Sequence, residues 1–282
     1  MLTIAVFPNR GKKESQSVLQ RVIKFFAAKD VRLILPAEEA VFFGYPALGV
    51  DNFAEQAVDI GLSIGGDGTL LGVCRRLYDR NIPVCGINIG TFGFLADIEL
   101  AELEEKLCKI LQGEYSIEKR LILACQIKRE GKEIFLGHAV NDAVITTNGP
   151  ARMIRLGIQL SGYRVSDYKA DGLIIATPTG STAYSLSAGG PIVHPEVKAL
   201  IVTPICPHTF NVRPMVVDHS EKVQVDFLNE TQEMLLTLDG QKSVKLTPDD
   251  EVIIQQGGHP VKIVKFADKN YYQTVRTKFL GE

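Results

Sequence analysis

A glycine-rich segment with one acidic residue, Gly65-Gly66-Asp67-Gly68-Thr69, separates two apolar stretches of the sequence. The stretch before it has the composition of a buried parallel strand, and the stretch after it repeats apolar residues at helical spacing. Glycine lets backbone N–H groups approach a bound phosphate closely, and the N-terminus of the following helix adds partial positive charge. The spacing therefore predicts a phosphate-binding turn between a strand and a helix.

Asp67 is the unusual residue in this turn, because its carboxylate would repel a phosphate bound there. A turn that also activates a hydroxyl group has a use for such a carboxylate as a proton acceptor. Aspartate is equally common as the N-cap residue of a helix. Residue type and spacing leave both roles open.

Two later segments carry residues that could bind a nucleotide. Asn141 and Asp142 lie at the end of an apolar strand pattern and could contact a ribose diol or an adenine edge, although Asn-Asp also forms ordinary turns. Residues 171–191 concentrate hydroxyls, glycines, a tyrosine and a carboxylate in one strand, loop and helix pattern. A loop that only closes a sheet needs fewer hydrogen-bonding residues, so we interpret this segment as one that wraps a nucleotide.

The periodicity around these segments predicts two kinds of domain. Residues 1–112 alternate apolar runs with helical patterns, which is typical of a Rossmann-like, doubly wound α/β domain. Residues 113–268 contain short, often alternating apolar runs separated by glycines, which predicts a β-rich, sandwich-like domain. Residues 269–282 place Tyr272, Val275 and Phe279 at helical spacing, and we expect a C-terminal helix that docks on another part of the structure.

Composition excludes several classes of protein. The chain has 282 residues, 45% of them hydrophobic, and a net charge of −2, without the basic excess of a nucleic-acid-binding protein. No apolar run approaches the roughly 18 residues that span a membrane, and the start does not resemble a signal peptide, so we expect a cytoplasmic protein. Five scattered cysteines and five histidines lack metal-ligand spacing, so we predict no protein-built metal site and buried thiols.

The sequence resembles the NAD kinase family through Gly-Gly-Asp-Gly-Thr at 65–69, Asn-Asp at 141–142 and Thr-Gly-Ser-Thr-Ala-Tyr-Ser-Leu-Ser-Ala-Gly-Gly at 179–190. The resemblance covers nearly the whole chain. It implies an N-terminal α/β domain, a C-terminal β domain that binds NAD, and transfer of the ATP γ-phosphoryl group to the adenosine 2′-hydroxyl of NAD, giving NADP. Under this resemblance Asp67 is the catalytic proton acceptor.

The resemblance also implies which residues contact NAD: Gly68, Asn141, Asp142, Arg152, Lys169, Asp171, Thr182, Ala183, Tyr184, Ser185, Leu186, Ser187 and Gln241, with Phe94 as a further ligand contact. The turn itself predicts that Gly65, Gly66 and Thr69 bind phosphate. We expect the ATP phosphates at the glycine-rich turn. We expect the adenosine half of NAD against the β domain, surrounded by Asn141, Asp142, Asp171 and Thr182–Ser187. Asp142 stands where the family usually has glutamate, so we expect its contact to run through water or to shift.

ATP and NAD are the expected substrates, with polyphosphate as an alternative donor. A divalent cation, Mg²⁺, is expected to arrive with ATP. A homodimer or homotetramer would cover exposed strand edges. Two alternatives remain open: a lipid kinase of the same superfamily, which would need a membrane-facing helix, and a non-catalytic NAD-binding sensor, against which the presence of Asp67 argues.

Overall fold

The computed structural model describes residues 1–90, 93–147, 149, 153–208, 211–228, 233–268 and 270–280. The chain divides into two compact units, the first made of Met1–Lys119 with Val261–Glu282 and the second of Arg120–Pro260. Each unit has its own core of buried apolar side chains.

Strands dominate the described residues. In chain order they are β1 (Leu2–Pro8), β2 (Val31–Pro36), β3 (Gly49–Val50), β4 (Ile60–Gly65), β5 (Val84–Asn88), β6 (Ser116–Arg120), β7 (Leu123–Arg129), β8 (Lys132–Ala139), β9 (Asp142–Thr147), β10 (Ile154–Leu160), β11 (Tyr163–Ala170), β12 (Gly172–Ala176), β13 (Ala199–Ile205), β14 (Met215–Asp218), β15 (Val223–Phe227), β16 (Met234–Leu238), β17 (Lys242–Leu246), β18 (Asp250–Gln256) and β19 (Val261–Lys265).

The α-helices of the described residues are α1 (Ser15–Phe26), α2 (Ala37–Phe42), α3 (Asp67–Leu77), α4 (Leu103–Gln112), α5 (Tyr184–Ser187) and α6 (Tyr271–Val275). Short 3-10 helices cover Pro46–Leu48, Phe53–Glu55, Tyr78–Arg80, Leu100–Glu102 and Thr179–Thr182, and a π-helical segment, Arg276–Leu280, follows α6. No helix among the described residues combines the length and apolar character needed to cross a membrane.

The first unit is built on a seven-stranded sheet in the order β3-β2-β1-β4-β5-β19-β6. Strands β2, β1, β4 and β5 pair in parallel, and β4 and β5 are buried along their whole length, as expected of a sheet covered on both faces. Helix α3 buries Leu70, Leu71, Cys74 and Leu77 at helical spacing. The doubly wound α/β prediction is confirmed, and the carboxyl ends of β1, β4 and β5 form the edge where such sheets bind ligands.

Strand β19 joins this sheet from the far end of the chain. Ile263 pairs in parallel with Val84 of β5, so residues 261–265, which the sequence analysis assigned to the β-rich domain, belong to the first unit. The α6 segment follows in the same unit, where the ring of Phe279 lies 5.5 Å from that of Phe94. The sequence of a five-residue apolar strand does not indicate which sheet the strand joins. The β-rich domain was therefore expected to span residues 113–268, whereas the second unit spans Arg120–Pro260.

The second unit contains two six-stranded antiparallel sheets, in the orders β11-β10-β15-β18-β7-β8 and β14-β13-β12-β9-β16-β17. Alternate residues of the strands point inward: Leu123, Cys125 and Ile127 of β7 share one apolar core with Met234 and Leu236 of β16. The prediction of a β-rich second domain is therefore confirmed. Helix α5 interrupts it in the segment between β12 and β13.

Cysteine burial follows the prediction only in part. Cys74, Cys85 and Cys125 are buried, whereas Cys108 and Cys206 are exposed. Burial raises the pKa of the Cys85 and Cys125 thiols well above their ordinary range, which keeps both protonated.

Candidate active site

The glycine-rich turn 65–69 connects the end of β4 to the start of α3. A Cβ atom added to Gly65 would lie 2.1 Å from Thr69 Oγ1, so only glycine fits where the backbone passes this close to the helix. At Gly66 an added Cβ would meet only Lys12 Nζ, at 3.5 Å. The hydroxyl of Thr69 accepts a hydrogen bond of 2.8 Å from the Asn9 side-chain amide. The turn is therefore tightly packed on the Thr69 side and open beside Gly66.

The carboxylate of Asp67 binds a neighbouring loop. Asp67 Oδ2 accepts a hydrogen bond from the backbone N–H of Phe94 at 2.7 Å, and Oδ1 accepts one each from Leu95 and Ala96 at 3.1 Å. A Cβ atom added to Gly93 would lie 2.2 Å from Asp67 Oδ1, so this residue must be small. Three backbone donors thus fix the orientation of the carboxylate.

These contacts decide against the N-cap role that the sequence left open for Asp67. Helix α3 begins at Asp67, the N-cap position is Gly66, and no side chain caps the helix. The Asp67 side chain is directed at the loop after β5 instead. The same three donors show that Asp67 also has a structural role, which residue type and spacing did not indicate.

An ion pair between the partly buried Lys265 and the buried Asp97 also supports this loop. Lys265 Nζ, at the end of β19, lies 2.9 Å from Asp97 Oδ1 and donates a hydrogen bond to the carbonyl of Leu95 at 3.2 Å. Asp97 also accepts a hydrogen bond of 2.8 Å from the backbone N–H of Phe266. The loop that binds Asp67 is therefore anchored to the last strand of the chain.

The second unit contains a cavity of about 490 Å³ beside β9 and the start of α5. This volume is within the range of small-molecule sites. Its wall is formed by Asn141, Asp142, Val144, Thr146, Ala183, Tyr184, Thr237, Asp239 and Gly240. Four residues predicted to contact a nucleotide, Asn141, Asp142, Ala183 and Tyr184, therefore share one cavity.

Asp239 organises one side of this cavity. Its carboxylate accepts hydrogen bonds from the backbone N–H groups of Val140 at 3.1 Å, Asn141 at 2.7 Å and Asp142 at 3.2 Å. The residue has a positive φ of 49°, which Asp tolerates better than most side chains. The tip of the β16–β17 hairpin thus holds the backbone from which the Asn141 and Asp142 side chains project.

Asp142 lies at the inner side of the cavity and is only 4% exposed. Burial raises its pKa to about 7, and the charge of Asp239 adds to the rise, while a hydrogen bond from the backbone N–H of Tyr184 opposes it. Around neutral pH this carboxyl group exists in both forms. It can accept a hydrogen bond when ionised and donate one when protonated.

The hydroxyl-rich segment packs against the backbone at Val140 and Asn141, and hydroxyl groups of the segment hold it there. Thr177 Oγ1 donates to the carbonyl of Val140 at 2.6 Å, and a Cβ atom added to Gly180 would lie 2.0 Å from the Asn141 carbonyl oxygen. Ser181 Oγ donates to the carbonyl of Pro178 at 2.7 Å. These hydroxyl groups shape the loop, so Thr177 and Ser181 have a structural role beside any contact of this segment with a nucleotide.

The remaining predicted residues of this segment and its surroundings lie outside the cavity wall. Ser185 is buried and its hydroxyl lies 2.8 Å from that of Thr203, whereas Ser187 is exposed. Thr182 and Leu186 are partly buried beside the two wall residues of the segment. Gln241 directly follows Gly240 at the hairpin tip.

Lys169 and Asp171 are exposed and do not belong to the cavity wall. Asp171 precedes Gly172, which pairs with Thr146, whereas Ala176 pairs with Asp142. The two pairs are four steps apart along the extended strand, which is roughly 13 Å. Arg152 lies outside the described residues.

Sequence reasoning missed Thr237, Asp239 and Gly240 as wall residues. Asp-Gly is a common hairpin signal, so the sequence predicts no more than a turn between strands for this pair. The adjacent Gln241, singled out through the resemblance, was the one available indication that this turn belongs to a site.

The described residues contain no group of three or more His, Cys, Asp or Glu side chains placed to hold a metal ion. The turn 65–69 instead fits a polyanion, because a helix begins there and Lys12 Nζ lies beside Gly66. A divalent cation that is coordinated mainly by phosphate and water oxygens is compatible with such a site.

Two family models match the chain. The model described as ATP-NAD kinase N-terminal domain matches residues 4–115, and the one described as ATP-NAD kinase C-terminal domain matches residues 140–266. A protein named NAD kinase from Geobacter sulfurreducens is 38% identical over 278 residues, which cover 99% of this chain and 98% of that protein. Another from Clostridium botulinum strain Kyoto is 37% identical over 279 residues, covering 99% and 96%.

Solved structures give the same result. The crystal structure of yeast NADH kinase in complex with NADH has a TM-score of 0.88 and 26% identity, covering 100% of this chain and 88% of that one. An NAD kinase from Archaeoglobus fulgidus in complex with ATP has a TM-score of 0.74 and 28% identity, covering 98% and 99%.

Proposed function

This chain belongs to the NAD kinase family, and on that premise we propose how its residues transfer the γ-phosphoryl group of ATP to the adenosine 2′-hydroxyl of NAD, giving NADP. The enzyme is a phosphotransferase with an alcohol group as acceptor. The observation that carries the assignment of roles is Asp67, a carboxylate held by three backbone donors within a phosphate-binding turn.

Asp67 is the proton acceptor for the 2′-hydroxyl in this proposal. A ribose hydroxyl is a weak nucleophile, and phosphoryl transfer depends mainly on positioning and on charge stabilisation. An ionised carboxylate offers about four lone-pair positions, of which the loop donors occupy three. One position remains for the hydroxyl proton, and the carboxylate does not have to reorient to receive it.

The ATP phosphates bind at the turn 65–69. Backbone N–H groups at the start of α3 and the positive end of the helix favour a polyanion there. Gly66 leaves space for it, because no backbone atom would meet a side chain at this position. Mg²⁺ arrives with ATP and offsets the charge of the phosphates when bound.

NAD binds in the cavity of the second unit. Asn141 and Asp142 present an amide and a carboxyl group to the adenosine half, and the Tyr184 ring, 46% exposed, offers a stacking surface. Ala183 and the backbone of Gly240 complete the contact. Thr182, Ser185, Leu186, Ser187 and Gln241 belong to the surrounding shell. Phe94 lies in the loop that holds Asp67 and is a further candidate for contact with a nucleotide.

We expect a homodimer or homotetramer, in which Lys169 and Asp171 reach the NAD bound by a second copy of the chain. Their position outside the cavity wall supports this expectation. The cytoplasm is the expected location, and polyphosphate is the alternative phosphoryl donor.

The alternatives drawn from the sequence were a lipid kinase and a non-catalytic sensor. Relatives named NAD kinase match almost the full length of the chain, which favours the kinase over both. Purified protein incubated with NAD, ATP and Mg²⁺ should form NADP. A chain that binds NAD without forming NADP would be a sensor, and one that phosphorylates diacylglycerol in vesicles instead would be a lipid kinase.

A further inference from the structure

The turn 9–12 follows β1 at the same edge of the sheet as the phosphate-binding turn. Asn9 bridges the two turns: its backbone N–H donates to the carbonyl of Ile64 at 2.9 Å, and its side-chain amide donates to Thr69 Oγ1 at 2.8 Å. Asn9 Oδ1 also accepts a hydrogen bond from the backbone N–H of Gly11 at 2.8 Å. The position of the turn 9–12 is therefore set by the glycine-rich turn itself.

Lys12 extends from this turn over the glycines. Its ammonium group donates a hydrogen bond to the carbonyl of Ile89, in the loop after β5. A Cβ atom added to Gly66 would lie 3.5 Å from Lys12 Nζ, and one added to Gly90 would lie 3.1 Å from it. Gly90 has a φ of +121°, a conformation that side chains rarely adopt. Gly90 thus makes room for the ammonium group beside the start of α3, whereas a Cβ at position 66 would only be in ordinary contact with it.

In the described part of the chain, no acidic side chain neutralises the charge of Lys12. An ammonium group has three N–H donors, and the Ile89 carbonyl accepts one of them. Within the described residues no carboxylate forms an ion pair with Lys12, whereas Arg10 in the same turn pairs with Glu38 and Glu39. A partly buried cation at the open side of a phosphate-binding turn is suited to a phosphate group.

We propose that Lys12 binds the phosphates of the phosphoryl donor and stabilises the negative charge on the group in transfer. The ligand is the triphosphate chain of a nucleoside triphosphate, contacted by two N–H donors of the ammonium group while the third keeps its bond to Ile89. Asn9 is the positioning residue that holds the turn 9–12 against Thr69. This inference rests on the proposed function and adds a cationic partner to the backbone donors of the turn 65–69.

The first experiment compares the variants Lys12→Met and Lys13→Met of the full-length enzyme. Lys13, the next residue, is exposed and carries the same charge, so it controls for the loss of one positive charge near the site. Lys12→Met should raise KM for ATP by about tenfold or more and lower kcat, with KM for NAD within about twofold of the wild-type value. Lys13→Met should change neither constant by more than about twofold.

The second experiment isolates the phosphate contact from the adenine contact. Inorganic triphosphate should inhibit the wild-type enzyme competitively with ATP, and its inhibition constant should rise in Lys12→Met by about the same factor as KM for ATP. Lys12→Arg should recover part of the affinity, because guanidinium also binds phosphate. Thermal unfolding of each variant shows whether it is folded.

Equal increases in KM for ATP and NAD, or unchanged inhibition by triphosphate in a folded Lys12→Met variant, would mean that Lys12 only fixes the loop after β5. That outcome would overturn the inference while leaving the proposed function intact. Failure of the wild-type enzyme to form NADP is a separate result, which would overturn the proposed function. Direct calorimetric binding of triphosphate to both proteins still tests Lys12 in that case.

Discussion

Asp142 and Asp239 are joined by two reciprocal hydrogen bonds. The backbone N–H of Asp142 donates to Asp239 Oδ1 at 3.2 Å, and the backbone N–H of Asp239 donates to the Asp142 carbonyl oxygen at 2.9 Å. The arrangement fixes the start of β9 to the hairpin tip after β16, and it also brings two carboxyl groups to one cavity. Stability and NAD binding should therefore both depend on the protonation of Asp142.

Asp142→Asn should change the pH dependence of stability. The folded pKa of about 7 exceeds the ordinary value of 3.8, so the folded state binds the proton more tightly than the unfolded chain. The stability contributed by Asp142 is present below about pH 4 and is lost as the pH rises through 7. The unfolding free energy of the variant, relative to that of the wild type, should therefore increase by at most roughly 4 kcal/mol between pH 4 and pH 8. Urea unfolding at each pH measures this difference.

Asp250→Asn is the matched control. Burial alone would raise the pKa of Asp250, but hydrogen bonds from Arg129 at 2.7 and 2.9 Å lower it below its ordinary value. The stability that Asp250 contributes is therefore present above about pH 4 and lost at lower pH. Its replacement should cost more at pH 7 than at pH 3. If the unfolding free energies of the two variants changed with pH in the same direction relative to wild type, the pKa values of Asp142 and Asp250 would not be shifted in opposite directions.

Asp67→Asn should lower kcat by at least about a hundredfold, because it removes the carboxylate that we propose as the proton acceptor. It should also reduce the melting temperature, since an amide has one oxygen and must present its NH₂ group to a loop of N–H donors. A role as helix N-cap alone would leave both quantities nearly unchanged, because Asn and Asp cap helices equally well.

Lys265→Met separates the two roles of Asp67. This variant removes support from Leu95 and Asp97 but leaves the Asp67 carboxylate in place. Loss of one partner from a buried ion pair should cost about 3 kcal/mol of unfolding free energy, while the fall in kcat should be much smaller than for Asp67→Asn. Equal falls in kcat for the two variants would indicate that the loop, rather than the carboxylate as a base, limits the reaction.

Gly66→Ala and Gly65→Ala should fail in different ways. An alanine at 66 meets only Lys12 Nζ at ordinary contact distance, so the variant should fold, with KM for ATP raised by about tenfold or more because its methyl group occupies the phosphate site. An alanine at 65 collides with Thr69 Oγ1, so this variant should lose stability. Steady-state kinetics and thermal unfolding distinguish the two. A Gly66→Ala enzyme with normal KM for ATP would place the phosphates elsewhere.

Asp142→Ala and Asp171→Ala, each impaired alone, should restore activity when unfolded and refolded together. If Asp171 acts on the NAD of the other copy, one of the two sites in each mixed dimer has both wild-type residues. About half of the randomly paired dimers are mixed, so the recovered activity should approach about a quarter of the wild-type rate. No recovery in a sample shown by sedimentation to be a mixed oligomer would mean that both residues act within one chain.

The sequence predicted those features that depend on local pattern. Apolar periodicity gave both fold classes, and the glycine spacing at 65–69 indicated where a strand meets a helix. Pairing between segments that are distant in the sequence could not be predicted in the same way. The composition of β19 does not indicate that this strand pairs with β5 rather than with a strand of the second unit.

The same limit applies to individual side chains. Asp67 was recognised as chemically unusual, but the three donors that bind it come from residues 94–96, about thirty positions away, and have no side-chain signature. The place of Asp239 in the cavity wall could not be predicted, because Asp-Gly is a common pair in hairpin turns. Both candidate sites are held together largely by hydrogen bonds of backbone groups, which cannot be predicted from the pattern of side chains.

The return of β19 to the first sheet has a consequence for how the protein is made. The second unit is an insertion whose two ends, Arg120 and Pro260, attach to β6 and β19, which are neighbours in one sheet. A ribosome that has released the first 119 residues has therefore produced neither Lys265 nor its bond to the loop that holds Asp67. The loop that holds Asp67 therefore acquires its support from Lys265 only at the end of translation, after the β-rich unit has emerged.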